Sequence, residues 1–157
     1  MMETPLAWIL LGLLALLLVA AAWSDIRSRT IANTLNAAIA LLAIPFWWAS
    51  DLSLWPDIAL QIGVALLVFG LFIGAFAMGA MGGGDVKMIG AVALWLPWQA
   101  VLALLIIMSI AGGALTAAMM IRHRLKKADG QLEVPYGVAI AFAALWLIGQ
   151  RFLYHFA

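Results

Sequence analysis

Charged and polar residues along this chain fall in short clusters between long apolar runs. The first run, 6–23, carries no charge over 18 residues, and others follow at about 35–50, 58–78, 86–97, 99–121 and 135–153. A helix needs about 20 predominantly apolar residues to cross a bilayer. Barrel strands would instead show segments of about ten residues alternating apolar with polar. These runs are continuous, so the pattern predicts an all-α, polytopic membrane bundle of about six transmembrane helices, a single integral-membrane domain over residues 1–157. The fourth run is short and is expected to tilt or to sink among its neighbours.

Composition agrees with the pattern. Apolar residues make up 68% of the chain and charged residues 10%, against about 45–50% and about 25% in soluble domains. A water-soluble globule and a disordered chain are both excluded. There is no cysteine, which removes disulfides, iron–sulfur clusters, cysteine-ligated zinc and a cysteine nucleophile together. A net charge of +1 gives no basic surface for nucleic acid. Ala20, Ala21 and Ala22 offer small residues for signal cleavage, but Glu3 stands where a signal peptide carries Lys or Arg, so the first run is read as a retained helix.

Charge placement then predicts orientation. Arg27 and Arg29 follow the first run, Lys87 the third, and Arg122, Arg124, Lys126 and Lys127 the fifth, whereas the loop after the second holds only Asp51 and Asp57. Seven of the eight basic residues thus share one side, which the positive-inside rule makes cytoplasmic, with both termini outside. Arg151 alone departs from this, near the end of the sixth run, where it could snorkel to the outer interface. The tryptophans at 47, 48, 55, 95 and 98 are expected in an outer aromatic belt. Gly12, Gly63, Gly70, Gly74, Gly112 and Gly113 are expected where helices approach closely.

Topology also sorts the acids. Asp51 and Asp57 belong to the outer loop, Asp129 and Glu133 to the basic inner loop, and Glu3 to the tail, all as solvated charge. Asp25 and Asp85 are separated by two crossings and so emerge on one face. Asp25 could be an interfacial acid paired with Arg29 at i+4, or a cap. Asp85 could be an N-cap before the run that begins at Val86. A cap alone does not call for the three glycines at Gly82, Gly83 and Gly84, each of which loses conformational entropy on ordering, and a gate or substrate path is the expectation there.

Other chemistries fail on inventory. Gly82 to Met88 lacks both the glycine before lysine and the hydroxyl after it that a phosphate-binding loop needs. Ser109 has no histidine within its part of the bundle, since His123 lies in the basic loop and His155 near the outer end. Two distant histidines and no cysteine do not make a zinc site. A pair of carboxylates at a membrane surface remains. Such a pair can hydrolyse an amide without metal or cofactor, one group activating water while the other, protonated, polarises the carbonyl.

Asp25 followed by Ile31-Ala32-Asn33, then Gly82-Gly83-Gly84-Asp85-Val86-Lys87, then Val134-Pro135-Tyr136-Gly137-Val138-Ala139 resemble, in that order, the three motifs of the type IV prepilin peptidases. These are membrane aspartic proteases of the G-x-G-D type, and the resemblance spans roughly residues 6–150. It implies Asp25 and Asp85 as catalytic residues, Gly82 and Gly84 as the glycines of G-x-G-D, and Lys87, Asn33, Pro135, Tyr136 and Gly137 as substrate-binding or supporting residues. Ala32 departs from the proline that many members carry. The cysteine-rich portion that longer members carry, linked to N-methylation, has no counterpart, so the chain looks like the short form serving Flp or tight-adherence pili.

The resemblance implies an endopeptidase in the bacterial inner membrane that removes the short basic leader of prepilin-like proteins at the cytoplasmic face. Its partners would be prepilin-like substrates and membrane lipid. Lys87 would either tune the pair of acids or obey the positive-inside rule. The alternative is a non-enzymatic membrane subunit or a small ion- or proton-coupled transporter, which a polar pair deep in the bundle would favour.

Overall fold

The computed structural model describes residues 4–125 and 134–156. Among them are six α-helices and no strand: α1 Pro5–Ser28, α2 Asn33–Ala49, α3 Ala59–Ala77, α4 Gly83–Ala93, α5 Trp98–Leu125 and α6 Tyr136–Phe156. The all-α membrane bundle is therefore what folds. Glu3, Lys126, Lys127, Asp129 and Glu133 lie outside the described residues, as does the side chain of His155.

Local chemistry sets the helix ends. Thr4 caps α1, its Oγ1 accepting from Ala7 N at 3.3 Å and donating to Ala49 O at 2.7 Å, with Pro5 in the first turn. α1 outlasts the apolar run by a full turn. Arg29 closes it in the left-handed conformation (φ 55°), its N–H donating to Asp25 O at 3.0 Å, while Ser28 Oγ donates to Ser24 O at 2.8 Å. Asp25 therefore belongs to the last turn of α1 and not to the loop after it.

Four segments are long and apolar enough to cross a membrane: Pro5–Ser28, Leu54–Ala77, Trp98–Leu125 and Tyr136–Leu153. α2 is a shorter apolar helix of 17 residues. α4 has 11 residues, about 16 Å at 1.5 Å per residue, half of a hydrocarbon core of about 30 Å. It is sunk among α2, α3 and α6, with eight of its residues buried, as the short fourth run suggested. α6 packs in turn on α1, α4 and α5. Outward faces carry exposed side chains such as Leu16, Leu67, Ile106 and Ile110, which in this setting face lipid.

Two expectations need correction. Trp48, Trp55 and Trp98 are exposed, as belt residues should be, but Trp47 and Trp95 are buried. Trp95 Nε1 donates to Ile39 O and Trp47 Nε1 to Leu94 O, both at 2.8 Å, and Trp95 packs on Phe46 with centroids 4.8 Å apart. These two tie the end of α4 to α2. Of the glycines expected at helix contacts, Gly112 meets Tyr136, whereas Gly12, Gly63, Gly70, Gly74 and Gly113 face open space. The close approach of α3 to α4 instead uses Gly90, where a β-carbon would stand 3.1 Å from Phe69.

Candidate active site

Asp25 and Asp85 meet at one end of the bundle, where α1 finishes and α2, α4 and α6 begin. Gly82 is the N-cap of α4, so Asp85 occupies the third helical position and not the cap. From there its side chain reaches back to interact with the Gly82 N–H, as an acid at this position does in a capping box. Helix N-termini carry partial positive charge, which favours a carboxylate at this position.

Both acids are buried, Asp25 to 3% and Asp85 to 7% exposure, and they lie close enough to interact electrostatically. The backbone N–H of Gly137, in the first turn of α6, interacts with both carboxylates, and that of Val138 with Asp25. Asp25 Oδ2 and Asp85 Oδ1 nevertheless have no hydrogen-bond partner among the described residues. Each acid thus keeps an uncommitted oxygen in a buried setting, where unpartnered polar atoms are rare. Arg29 is exposed on the helix cap, so a surface pair at i+4 does not account for the burial of Asp25.

The three glycines have packing reasons. A β-carbon at Gly82 would stand 3.0 Å from Asp85 Oδ2, one at Gly83 3.3 Å from Phe76, and one at Gly84 3.3 Å from both the N and the Cβ of Ile31. Close contact at these three positions is what the absent side chain permits. Ile31 is buried between α4 and α6, touching the positions of Gly84 and Gly137.

Supporting residues fall around this core. Lys87 is exposed and its Nζ donates to Asn33 Oδ1 at 2.8 Å, linking α4 to the start of α2. Ala32 is the N-cap of α2 with φ −60°, within the range that proline would impose, so its backbone fits the role of the family's proline. Pro135 is buried, and Tyr136 lies against Gly112 of α5. Asp51 and Asp57 lie at the other end, in the α2–α3 connection, where Asp57 Oδ2 accepts from Ser53 N and Ser53 Oγ at 3.1 and 2.8 Å. Ser109 Oγ donates to Leu105 O of its own helix at 2.6 Å.

Asn36 is a buried polar neighbour of the site that the motif pattern did not supply. It is 4% exposed, its Nδ2 donates to Gly84 O at 3.0 Å, and its Oδ1 has no partner among the described residues. The available signal was a lone amide inside an apolar run, one helical turn beyond Asn33. Asn33, Asn36 and Lys87 form the polar end of an apolar groove of about 420 Å³ between α2 and α3, floored by Gly90 and Ala91 of α4. No group of three His, Cys, Asp or Glu side chains placed to hold a metal occurs among the described residues.

The sequence model of the type IV leader peptidase family matches residues 12–117, a stretch that contains Asp25, Asn33, Asn36, Asp85 and Lys87. No curated protein and no solved structure matches the chain.

Proposed function

The chain belongs to the type IV leader peptidase family, and from that footing we propose that it is a metal-free aspartic endopeptidase cutting the basic leader from Flp-type prepilin-like proteins at the cytoplasmic face of the bacterial inner membrane. Multi-pass membrane character and a peptidase function of the leader-peptidase kind follow from the helices and the family. The observation that carries the aspartic reading is the convergence of two buried carboxylates from different helices on one backbone amide, each with an oxygen left uncommitted.

Such a pair works with one proton between two groups. The ionised carboxylate takes a proton from water as the water oxygen bonds to the scissile carbonyl carbon, and the protonated partner hydrogen-bonds the carbonyl oxygen. Proton delivery to the nitrogen then breaks the C–N bond and releases the leader carboxylate and the new amino terminus. The amide of Gly137 steadies the carboxylates, and the N-termini of α4 and α6 favour negative charge beside them. Because water and amide are the only reactants, no cofactor enters. The groove that starts at Asn33, Asn36 and Lys87 supports the substrate class, since an apolar segment following the leader would find an apolar floor there.

Placement of the acids in the last turn of α1 and the first turn of α4 favours surface chemistry over an ion path through the bundle. Co-expression with a candidate prepilin, followed by N-terminal sequencing of the product, tests the reading. A new terminus just after the basic leader is expected. An unprocessed terminus across a panel of Flp-type prepilins would overturn the assigned substrate class.

A further inference from the structure

At the end of the bundle away from the carboxylates lies a second cavity, of about 480 Å³, within the range of about 300–1,000 Å³ usual for small-molecule sites. α6 joins the two ends. Gly137 is at its start, and Arg151, fourteen residues later and about 21 Å along the axis, lines the second cavity.

The cavity is two-natured. Leu52, Pro97 and Leu147 give it an apolar wall backed by the buried Phe46 and Trp95, while Ser50, Gln61, Gln150 and Arg151 give it polar groups from the ends of α2, α3 and α6. Ser50 and Gln61 are each 8% exposed, and Ser50 Oγ and Gln61 Oε1 have no hydrogen-bond partner among the described residues. Burial of such atoms without partners is costly, and native proteins keep few of them. The Arg151 guanidinium sits over the Phe46 ring, 5.5 Å from its centroid. Arg151 is also the one basic residue outside the positive-inside pattern.

The chemistries of these groups are complementary to a particular ligand. A guanidinium matches phosphate with paired N–H donors, a serine hydroxyl both donates and accepts, and Gln61 Oε1 accepts from a hydroxyl or amine. We propose that this cavity binds the headgroup of a phosphate-bearing amphiphile, with the phosphoryl group on Arg151, a headgroup hydroxyl or amine toward Gln61 and Ser50, and the start of the acyl chains along Leu52, Pro97 and Leu147. The same polar chemistry would take a soluble phosphate ester. The apolar wall favours the lipid. This site is independent of the peptidase reading and would stand if that reading fell.

The test uses the full chain in a non-ionic detergent, titrated with dioctanoyl phosphatidylglycerol, with dioctanoylglycerol as the matched lipid without phosphate, and with glycerol 3-phosphate, read by native mass spectrometry and thermal unfolding. Phosphatidylglycerol should saturate at one equivalent and bind at least about tenfold more tightly than dioctanoylglycerol, the scale of a lost charge-assisted contact. Arg151→Gln should remove that preference while dioctanoylglycerol still binds, and Arg151→Lys should retain part of it. Glycerol 3-phosphate binding as tightly as the lipid would assign the phosphate site to a soluble ester; much weaker binding assigns it to lipid. Equal binding of the two lipids, or a preference that survives Arg151→Gln, would overturn the proposal. Should that variant not fold, Gln61→Leu with undiminished phosphatidylglycerol affinity would overturn the assigned headgroup contacts.

Discussion

Gly137 lies so close to Asp25 that a β-carbon added to it would stand 2.8 Å from Asp25 Oδ2 and 3.1 Å from Cγ. The third sequence motif thus touches the first. Its glycine is where the start of α6 approaches the carboxylate, and the same residue's N–H interacts with both acids.

Gly137→Ala should therefore separate folding from activity. The atoms that must yield are the tip of Ile31, 2.7 Å from the new carbon, and the Asp25 carboxylate itself. Both are side-chain ends that can rotate, so the stability loss should stay within about 1–3 kcal/mol. A carboxylate displaced by about 1 Å should lower leader cleavage by about 100-fold. Normal membrane accumulation with near-normal cleavage would show that Gly137 does not position Asp25.

Asn36, from α2, holds the carbonyl of the residue before the other acid. Asn36→Leu removes the amide that holds Gly84 O at 3.0 Å, a contact worth about 1 kcal/mol, and also removes the unpartnered Oδ1. Thermal unfolding should shift little while cleavage falls, since the freed carbonyl is next to Asp85. A large drop in unfolding temperature with specific activity intact would make Asn36 a stabilising residue alone.

Helices, their order and the meeting of the two acids were legible in the sequence because a bilayer demands long apolar runs and the motifs fall at their ends. Which apolar side chains face lipid was not. Hydrocarbon and protein interior are alike in polarity, so Trp47 and Trp95, buried between α2 and α4, read the same as exposed Trp48. The glycines fail for the same reason: Gly90 packs on Phe69 while Gly63 and Gly70 face outward. Asp25 stands two residues past the apolar run that ends at Trp23, and backbone hydrogen bonding, which hydropathy does not show, carries α1 on to Ser28. The hydrogen bond of Asn36 is to a partner 48 residues away, which periodicity cannot supply.

Orientation is open to reporter fusions. Reporters at residues 28–32 and 124–130 should read as cytoplasmic, and one between Asp51 and Asp57 as extracytoplasmic, because the basic residues cluster at the first two. An extracytoplasmic signal at 124–130 would place the carboxylates on the wrong face for the proposed substrate.

Replacing either buried acid tests the chemistry most directly. Asn in place of Asp25 or Asp85 keeps the shape and cannot exchange the catalytic proton, so each variant should accumulate in the membrane and lose cleavage by about 100-fold or more. Asp51→Asn and Asp57→Asn should retain it, being at the other end of the bundle. A pair that works with one shared proton is inactive when both groups are protonated and again when both are ionised. Activity against pH should therefore be bell-shaped, rising as the first proton leaves the pair and falling as the second does, with the two limbs belonging to the pair and not to either residue. EDTA should leave the profile unchanged. Substantial cleavage by either Asn variant, or a loss with EDTA that added divalent metal restores, would remove the metal-free aspartic mechanism and leave the leader peptidase to work by other groups.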